Sequence, residues 1–323
     1  YIKGYRKKWI TIQLNVFAVA RTMELITITG SNGFIASHVI DHLINLGFKK
    51  KSLLLLNSKN TDYSLKDLSK KFTKTDLVIH LSSATGGIKY TKENMATQLY
   101  ITMMKDLNVF QASKICKVKK LITLGNFHAY PSTLKNNIKE EYLYSGLPAK
   151  THLGIGWSKR TLSILSEIFS KKSKTKFIVL YSANAYGPGD SLDLNYGHII
   201  PSFIIKCLKN KDVKLFGGNN AVREFIYVKD LAEIIVHSLI KINKSIFFNV
   251  GSNEKIKIKN LIALIAKLTN FKKKVIFENK IKDSSIRFSN KKIFNDLLNY
   301  KVKYNLSSGL KETILWYKKK IKK

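Results

Sequence analysis

Cysteine, proline and arginine are all scarce in this chain of 323 residues. The two cysteines, Cys116 and Cys207, are too few for a disulfide scaffold or for a zinc site built from cysteines. No uncharged apolar run approaches the ~18–20 residues that a membrane helix needs. Because 45% of the residues are hydrophobic and only 4 are proline, the chain can bury a sizeable core. The composition therefore excludes collagen, a coiled coil, a small secreted domain and general disorder.

Acidic residues are also scarce, and the imbalance gives a formal net charge of +36. A basic surface attracts phosphates, so this charge raises the possibility of nucleic-acid binding. However, only 5 of the 57 basic residues are arginine, the residue that binds phosphates and guanines with a forked geometry. The lysines are also spread along the whole chain instead of forming one stripe. We therefore interpret them as solvated surface residues and expect no specific nucleic-acid partner.

The first 22 residues differ from the rest of the chain. They begin basic and become mildly apolar, and Ala18-Val19-Ala20 resembles a signal-peptidase site. Polar residues interrupt the apolar run, however, and Met23 lies two residues before the first strand pattern. We interpret residues 1–22 as an upstream or non-native extension, with a true export signal as the alternative, and expect a cytoplasmic protein.

From Met23 onward, short apolar runs alternate with longer amphipathic stretches, and this regularity fades after Pro188. Such alternation predicts a doubly wound parallel α/β sheet of the Rossmann type, covered by helices on both faces. We expect a dinucleotide-binding domain over residues 23–185, with later segments returning to it, and a smaller C-terminal α/β substrate-binding lobe over residues 186–323. The predicted strands are 25–29, 53–56, 77–81, 121–124, 177–181, 225–228 and 247–250, and the predicted helices are 35–46, 95–114, 158–170 and 259–268.

A glycine-rich turn follows the first predicted strand, in the segment TGSNGFIA at residues 29–36. Gly30 permits a tight turn, Gly33 lets the backbone approach a pyrophosphate, and Ala36 allows close contact between helix and strand. The N–H groups at the start of the helix would then bind phosphates. This order of strand, turn and helix predicts a dinucleotide site, with an ordinary glycine-rich turn as the alternative. We assign cofactor binding to Gly30, Asn32, Gly33, Phe34 and Ile35.

The residues after the second predicted strand bear on the choice of cofactor. NAD-selective folds usually place a carboxylate here for the ribose hydroxyls, whereas this chain has Asn57, Ser58 and Lys59. No carboxylate is present to repel a 2′-phosphate, and Lys59 could attract one. We therefore expect NADP or NAD as cofactor, with NADP favoured and with Asn57 and Lys59 in contact with it. The alternative is that Lys59 is simply solvated.

Eight short motifs follow one another along the chain in a specific order. Five are TGSNGFIA at 29–36, HLSSA at 80–84, NAYGP at 184–188, REFIYVKD at 223–230 and FNVGS at 248–252. The other three are TGGI at 85–88, LGNFHAYP at 124–131 and GHIIP at 197–201. From Met23 to about Tyr317 the chain thereby resembles the extended short-chain dehydrogenase/reductase superfamily, the group of NAD-dependent epimerases and dehydratases. Within it, the chain is most similar to GDP-fucose synthase-type enzymes, which epimerise and reduce 4-keto sugars on a nucleotide.

The resemblance implies a catalytic set from which this chain departs. Family members carry a tyrosine four residues before a lysine on one helix, and a serine at the end of the fourth strand. The lysine lowers the pKa of the tyrosine, which acts as general acid/base, and also holds the nicotinamide ribose. Here the lysine is Lys159, but Ile155 stands at the tyrosine position and Asn126 at the serine position. Because isoleucine has no proton to give, the alternative is a catalytically inactive nucleotide-binding or scaffold protein.

Two histidines stand where the resemblance implies proton transfer at the carbons next to the ketone. Family members use a cysteine and a histidine there, and this chain has His128 at the cysteine position and His198 at the histidine position. Two imidazoles could abstract and return protons at neutral pH, with a structural role as the alternative. We assign catalysis to Lys159, Asn126, His128 and His198.

The resemblance also implies how a nucleotide-diphosphate sugar is held. Arg223 stands where family members bind the diphosphate and base, and its forked geometry suits that task. The alternative is an internal salt bridge with Glu224 or Asp230. The resemblance further implies a homodimer formed through the helices at 95–114 and 158–170, and we expect no metal and no membrane association. We assign substrate binding to Asn184, Lys206, Arg223 and Arg287, and further cofactor contacts to Ser82 and Ser83.

Overall fold

The computed structural model describes residues 25–134, 137–194, 196–210, 212–216, 220–278 and 286–321. The extension expected at residues 1–22 and the expected domain start at Met23 lie outside the described residues.

The strands and helices follow one another in the alternating order that the sequence predicts. The strands are β1 (Ile26–Thr29), β2 (Leu53–Leu56), β3 (Leu77–His80), β4 (Lys120–Asn126), β5 (Lys176–Ser182), β6 (Asn184–Tyr186), β7 (Val213–Phe216), β8 (Val222–Tyr227), β9 (Ile246–Val250), β10 (Lys255–Lys257), β11 (Val275–Glu278) and β12 (Ile286–Arg287). The helices are α1 (Phe34–Asn45), α2 (Leu65–Phe72), α3 (Ile88–Glu93), α4 (Met95–Ile115), α5 (Leu153–Ser170), α6 (Ile199–Leu208), α7 (Val228–Lys241), α8 (Ile258–Thr269), α9 (Lys292–Leu298) and α10 (Leu306–Ile321).

A six-stranded parallel sheet forms the centre of the fold, in the order β2-β1-β3-β4-β5-β9. All positions of β1 and β3 are buried, as expected for parallel strands covered on both faces. Helix α1 packs against α7 on one face, and α4 packs against α5 on the other. Because β2 and β3 lie on opposite sides of β1, doubly wound folds of this kind place the ligand crevice beside β1 at the carboxyl ends of the strands. The doubly wound parallel fold is thereby confirmed.

A smaller group of elements follows β5. Strands β6, β8, β10 and β12 form a four-stranded sheet, and β7 pairs with β11. Helices α6, α8 and α10 contact one another and enclose a second cluster of buried side chains that includes Phe203, Tyr227 and Leu310. Leu231 and Phe248, which come later in the chain than β6, return to the first cluster. The boundary between residues 185 and 186 stays a prediction.

Helix α5 begins earlier than the expected residue 158, at Leu153. Its first turn contains Gly154 and Gly156, which disfavour helix and explain why the apolar pattern predicts a later start. Their role is packing. A Cβ atom on Gly154 would overlap the carbonyl oxygen of Met95 in α4, and one on Gly156 would lie 2.8 Å from the carbonyl oxygen of His128. Close approach of neighbouring elements therefore outweighs intrinsic helix preference here. Within the described ranges, every helix is too short or too polar to cross a membrane.

Candidate active site

The glycine-rich turn forms a close-fitting cradle between β1 and β3. Gly30 has a φ of +69°, and a Cβ atom there would lie 2.8 Å from the backbone of Ser82, so only glycine fits. The N–H of Gly33 donates to the carbonyl oxygen of Gly30 at 2.8 Å. Helix α1 then begins at Phe34 with no side-chain cap and no acidic residue in its first turn. Its first N–H groups therefore point to an anion as their partner.

The end of β2 is tied to this turn through Asn57. Its Nδ2 lies 3.3 Å from Ser31 Oγ and 3.5 Å from Asn32 Oδ1. Its Oδ1 accepts the N–H of Lys59 at 3.0 Å, and the Lys59 side chain is exposed. An amide can make these donor and acceptor contacts together, whereas a carboxylate could only accept.

Two residues that the sequence reasoning missed border the same turn. The hydroxyl of Tyr63 accepts the N–H of Gly30 at 3.1 Å. Lys105 Nζ lies 3.2 Å from Ser82 Oγ and 4.5 Å from the centre of the Tyr63 ring. Burial lowers the pKa of Lys105. Neither residue belongs to a recognisable motif, since Tyr63 lies in a connection and Lys105 lies in the middle of the long helix α4.

Lys159 lies in a buried network of polar side chains. Its Nζ is 3.5 Å from Asp106 Oδ2, and Asp106 Oδ1 is 2.8 Å from His80 Nε2. His80 Nδ1 is in turn 2.6 Å from the hydroxyl oxygen of Thr29. The Lys159 side chain is 5% exposed, and those of Asp106 and His80 are 0% exposed.

The charges of this network follow from its burial. Burial lowers the pKa of His80, although Asp106 acts in the opposite direction. Neutral His80 then donates from Nε2 to Asp106 and accepts the Thr29 hydroxyl at Nδ1. The Asp106 carboxylate is therefore left to balance the charge of Lys159. The sequence predicts Lys159 but not its partners, because β3, α4 and α5 bring them together only in the folded chain.

Ile155 and Asn126 both have local structural roles. Ile155 is 3% exposed and lies in α5, one turn before Lys159. Asn126 ends β4, and its Oδ1 accepts the N–H of His128 at 3.0 Å. This bond caps the 3-10 turn Phe127–Ala129, so the amide oxygen already has a backbone partner.

His128 packs against a second histidine that the sequence reasoning missed. The rings of His128 and His152 are stacked, with centres 4.0 Å apart and an angle of 7° between their planes. His152 ends the 3-10 turn Lys150–His152 and directly precedes α5. Its Nδ1 lies 2.8 Å from the hydroxyl oxygen of Thr151. The sequence signal that could have identified His152 is its position, three residues before Ile155.

His198 directly precedes α6 and pairs with a buried carboxylate. Its Nδ1 lies 3.3 Å from both carboxylate oxygens of Asp190. Partial burial alone would lower the pKa of His198, but the hydrogen bond and the charge of Asp190 outweigh it and raise this pKa. The N–H of Gly87 donates to the carbonyl oxygen of Tyr196 at 2.6 Å, which brings the TGGI segment to the chain just before His198.

The residues expected to bind the nucleotide lie in and beside the smaller sheet. Arg223 on β8 and Arg287 on β12 stand opposite each other in parallel register. Glu224 is buried and accepts the N–H and hydroxyl of Ser289 at 2.8 and 2.7 Å. Asp230 accepts the hydroxyl of Tyr300 at 3.0 Å. The two carboxylates considered as alternative partners of Arg223 thus have hydrogen bonds elsewhere.

The two remaining substrate-binding candidates lie on different elements. Asn184 begins β6, and its Nδ2 lies 3.4 Å from the carbonyl oxygen of Glu224 on β8. Lys206 is half-buried in the last turn of α6. Together with Arg223 they lie on three different elements, β6, α6 and β8.

Known proteins match this chain over most of its length. A model of the NAD dependent epimerase/dehydratase family matches residues 26–251. GDP-L-colitose synthase of Yersinia pseudotuberculosis is 26% identical over 309 residues, which cover 90% of this chain and 97% of that protein. A GDP-6-OMe-4-keto-L-xylo-heptose reductase from C. jejuni has the same fold, with a TM-score of 0.85 at 23% identity over 92% of this chain and 98% of that one.

A GDP-L-fucose synthetase from Naegleria fowleri, solved with NADP bound, gives a TM-score of 0.82 at 22% identity over 93% of this chain and 94% of that one. These matches confirm the resemblance to the extended short-chain dehydrogenase/reductases and to GDP-fucose synthase-type enzymes. Since this family model matches more than half of its length, the chain belongs to the NAD dependent epimerase/dehydratase family.

Proposed function

We propose that this protein is an NADP-dependent epimerase/reductase of a GDP-linked 4-keto sugar. The observation that carries the proposal is the meeting of three features at one edge of the sheet. The glycine-rich turn follows β1, the Lys159 network reaches the end of β3, and His128 follows β4. Since the carboxyl ends of parallel strands share one edge, phosphate binding and proton transfer can serve one ligand there.

The residues of the cradle fit a dinucleotide. The tight turn at Gly30, which leaves no room for a Cβ atom, and the uncapped start of α1 suit a pyrophosphate. Lys105 adds a cation at 3.2 Å from Ser82. When bound, the nicotinamide supplies or accepts a hydride. NADP is favoured over NAD because this position, where NAD-selective folds usually have a carboxylate that repels a 2′-phosphate, has the exposed Lys59 instead. A relative of the same fold was also solved with NADP bound.

The sugar nucleotide is proposed from the relatives and from charge. The three matched proteins described above are named for GDP-linked sugars, and one of them is a reductase of a 4-keto sugar. Arg223 can bind a diphosphate with its forked guanidinium, and Lys206 can add a second cation. The net charge of +36 would raise the local concentration of such an anion.

The catalytic roles divide among four residues of the site. Lys159 would hold the nicotinamide ribose, and Asn126 would orient the sugar. His198, whose pKa is raised by Asp190, would give a proton to a carbon next to the ketone. His128 would take the proton from that carbon on the opposite side. In catalytic sites the acid and the base commonly have different environments, which give the two groups different pKa values.

Cofactor and substrate binding test this proposal. The full chain is titrated with NADPH and NADH by nicotinamide fluorescence, and with GDP-fucose by calorimetry. We expect micromolar binding of NADPH, weaker binding of NADH and binding of GDP-fucose. Lys59→Glu should reduce the preference for NADPH about tenfold, since a like charge then faces the 2′-phosphate. No binding of either dinucleotide at millimolar concentration would contradict the proposal.

A second candidate is a nucleotide-binding protein without catalysis, and the burial of Ile155 beside an ion-paired Lys159 favours it. Replacing Ile155 with tyrosine separates the two candidates. If the unsubstituted chain binds NADPH but turns over no GDP-linked 4-keto sugar, and Ile155→Tyr gains turnover, the second candidate is correct. Turnover by the unsubstituted chain excludes it.

We also propose a homodimer formed through α4 and α5. These two helices pack side by side and expose apolar side chains, including Tyr100 at 72% and Ile168 at 57%. An apolar surface of this kind is commonly covered by a partner. Sedimentation of the unsubstituted chain should therefore give a dimer, and Ile168→Glu should give a monomer.

A further inference from the structure

Reduction of a ketone needs a proton donor for its oxygen, and the residue type that the family uses for this step is missing here. Ile155 stands at its position and is buried. If the proposed function is correct, another side chain must supply this proton. We infer that His152, held in a ring stack with His128, is the general acid that protonates the ketone oxygen. The inference rests on the proposed function.

His152 lies at the N-terminal end of α5, the helix that carries Lys159. It directly precedes α5, three residues before Ile155 and seven before Lys159. His152 therefore lies at the N-terminal end of the helix that carries Ile155 and Lys159.

The stack with His128 ties His152 to the site. Ring centres 4.0 Å apart and planes within 7° of parallel leave no room for a side chain or water between them. The contact depends on Gly156, because a Cβ atom there would lie 2.8 Å from the carbonyl oxygen of His128 and 2.7 Å from Pro148. The backbone of α5 thus holds the His128 turn close enough for the two rings to stack.

The hydroxyl of Thr151 fixes which nitrogen of His152 faces the substrate. It lies 2.8 Å from Nδ1 and so holds the ring at that atom. The proton given to the substrate is then the one on Nε2. Two imidazolium rings with centres 4.0 Å apart would repel each other. The form in which only one of the two rings is protonated is therefore favoured over the form in which both are. Such a pair provides one acid and one base in the same place.

The step balances with the cofactor class of the proposed function. The carbonyl carbon would receive the hydride that a bound, reduced nicotinamide supplies as its own C–H bond breaks. The carbonyl oxygen receives the Nε2 proton of His152, whose N–H bond breaks as the O–H bond forms. His152 becomes neutral, the ketone becomes a secondary alcohol, and solvent returns the proton to His152 after release.

Substitution of His152 tests the inference. In His152→Gln and His152→Ala we expect kcat with a GDP-linked 4-keto sugar to fall about 10²–10⁴-fold, with KM changed only a few-fold. Added imidazole should restore part of the turnover of His152→Ala, which it would not do for a structural residue. Lys150→Gln is the matched control, because Lys150 is exposed in the same 3-10 turn, and it should keep the full kcat.

A second readout needs no turnover. The chain has 7 histidines, so the ring-proton NMR signal of His152 can be assigned by its loss in His152→Gln. We expect this signal to shift when GDP-fucose is added without a dinucleotide, and the signal of His42, which lies on α1, to stay unchanged.

The outcomes separate this inference from the proposed function. Normal kcat in both His152 variants, or a His152 signal that does not respond to GDP-fucose, overturns the role of His152 while the proposed function stands. No turnover by the unsubstituted chain overturns the proposed function, and the proton transfer assigned to His152 is overturned with it.

Discussion

At the scale of single residues, Asp106 determines the charge balance of the site. Its carboxylate lies 2.8 Å from His80 and 3.5 Å from Lys159, and all three side chains are buried. Because burial keeps His80 neutral, removal of the Asp106 charge would leave Lys159 buried without compensation.

Asp106→Asn should therefore reduce the free energy of unfolding by about 3–5 kcal/mol, as expected when one member of a buried ion pair is removed. Glu167→Gln is the matched control, because its ion pair with Lys171 on the surface of α5 is about two-thirds exposed. This control should lose about 0.5 kcal/mol or less. Urea unfolding measures both variants, and equal losses would contradict a buried charge pair.

A second prediction at this scale concerns Gly30. Gly30→Ala places a Cβ atom 2.8 Å from the backbone of Ser82, at a φ of +69° that alanine adopts only with strain. We expect this variant to lose NADPH binding in the fluorescence titration. Gly47→Ala, at a φ of +92° after α1, carries similar strain away from the cradle and should bind NADPH normally. Normal binding by Gly30→Ala would show that the cradle holds no pyrophosphate.

At the scale of elements, packing decides what sequence patterns leave open. The strands and helices of the sheet follow from apolar runs and their spacing, as in β1 and β3, and the cradle follows from the order of strand, glycines and helix. The start of α5 does not follow from the sequence pattern, because Gly154 disfavours helix in isolation. Its presence in α5 is explained only by the contact with α4. Likewise, His152 and Asp106 belong to no motif, and only folding brings them to His128 and Lys159.

Gly154→Ala tests this account of α5. By intrinsic helix preference alone, alanine should stabilise the helix by about 1 kcal/mol. The structure predicts the opposite sign, because the added methyl group would overlap the carbonyl oxygen of Met95 and force α4 and α5 apart. Thermal and urea unfolding measure the change, and a gain in stability would show that the two helices do not pack as closely as described.

At the scale of the whole molecule, the stability of the sheet domain is linked to pH through histidines between α1 and α7. Burial lowers the pKa of His237 to about 4, and burial also lowers the pKa of His42. Glu233 acts in the opposite direction on both groups, and Lys303, which is ion-paired with Glu233, acts in the same direction as burial. The folded chain therefore keeps these rings neutral at a pH where the unfolded chain protonates them.

Stability should accordingly decrease as the pH falls from the unfolded pKa of 6.5 towards 4. Between pH 7 and pH 5, His237 alone should account for a loss of about 2 kcal/mol, since one unit of pKa difference corresponds to about 1.4 kcal/mol. His237→Gln should remove that part of the pH dependence. The comparison of the two chains by urea unfolding at both pH values isolates it, and identical losses in both would contradict the assignment.

The most direct test of the proposed function is the oxidation of NADPH by the unsubstituted chain in the presence of a GDP-linked 4-keto sugar. We predict loss of NADPH absorbance that requires the sugar nucleotide, is absent in Gly30→Ala, and yields a GDP-linked sugar in which the ketone has become an alcohol. Binding of NADPH without its oxidation would contradict an active reductase and would identify the chain as a nucleotide-binding member of the family that has lost catalysis with its tyrosine.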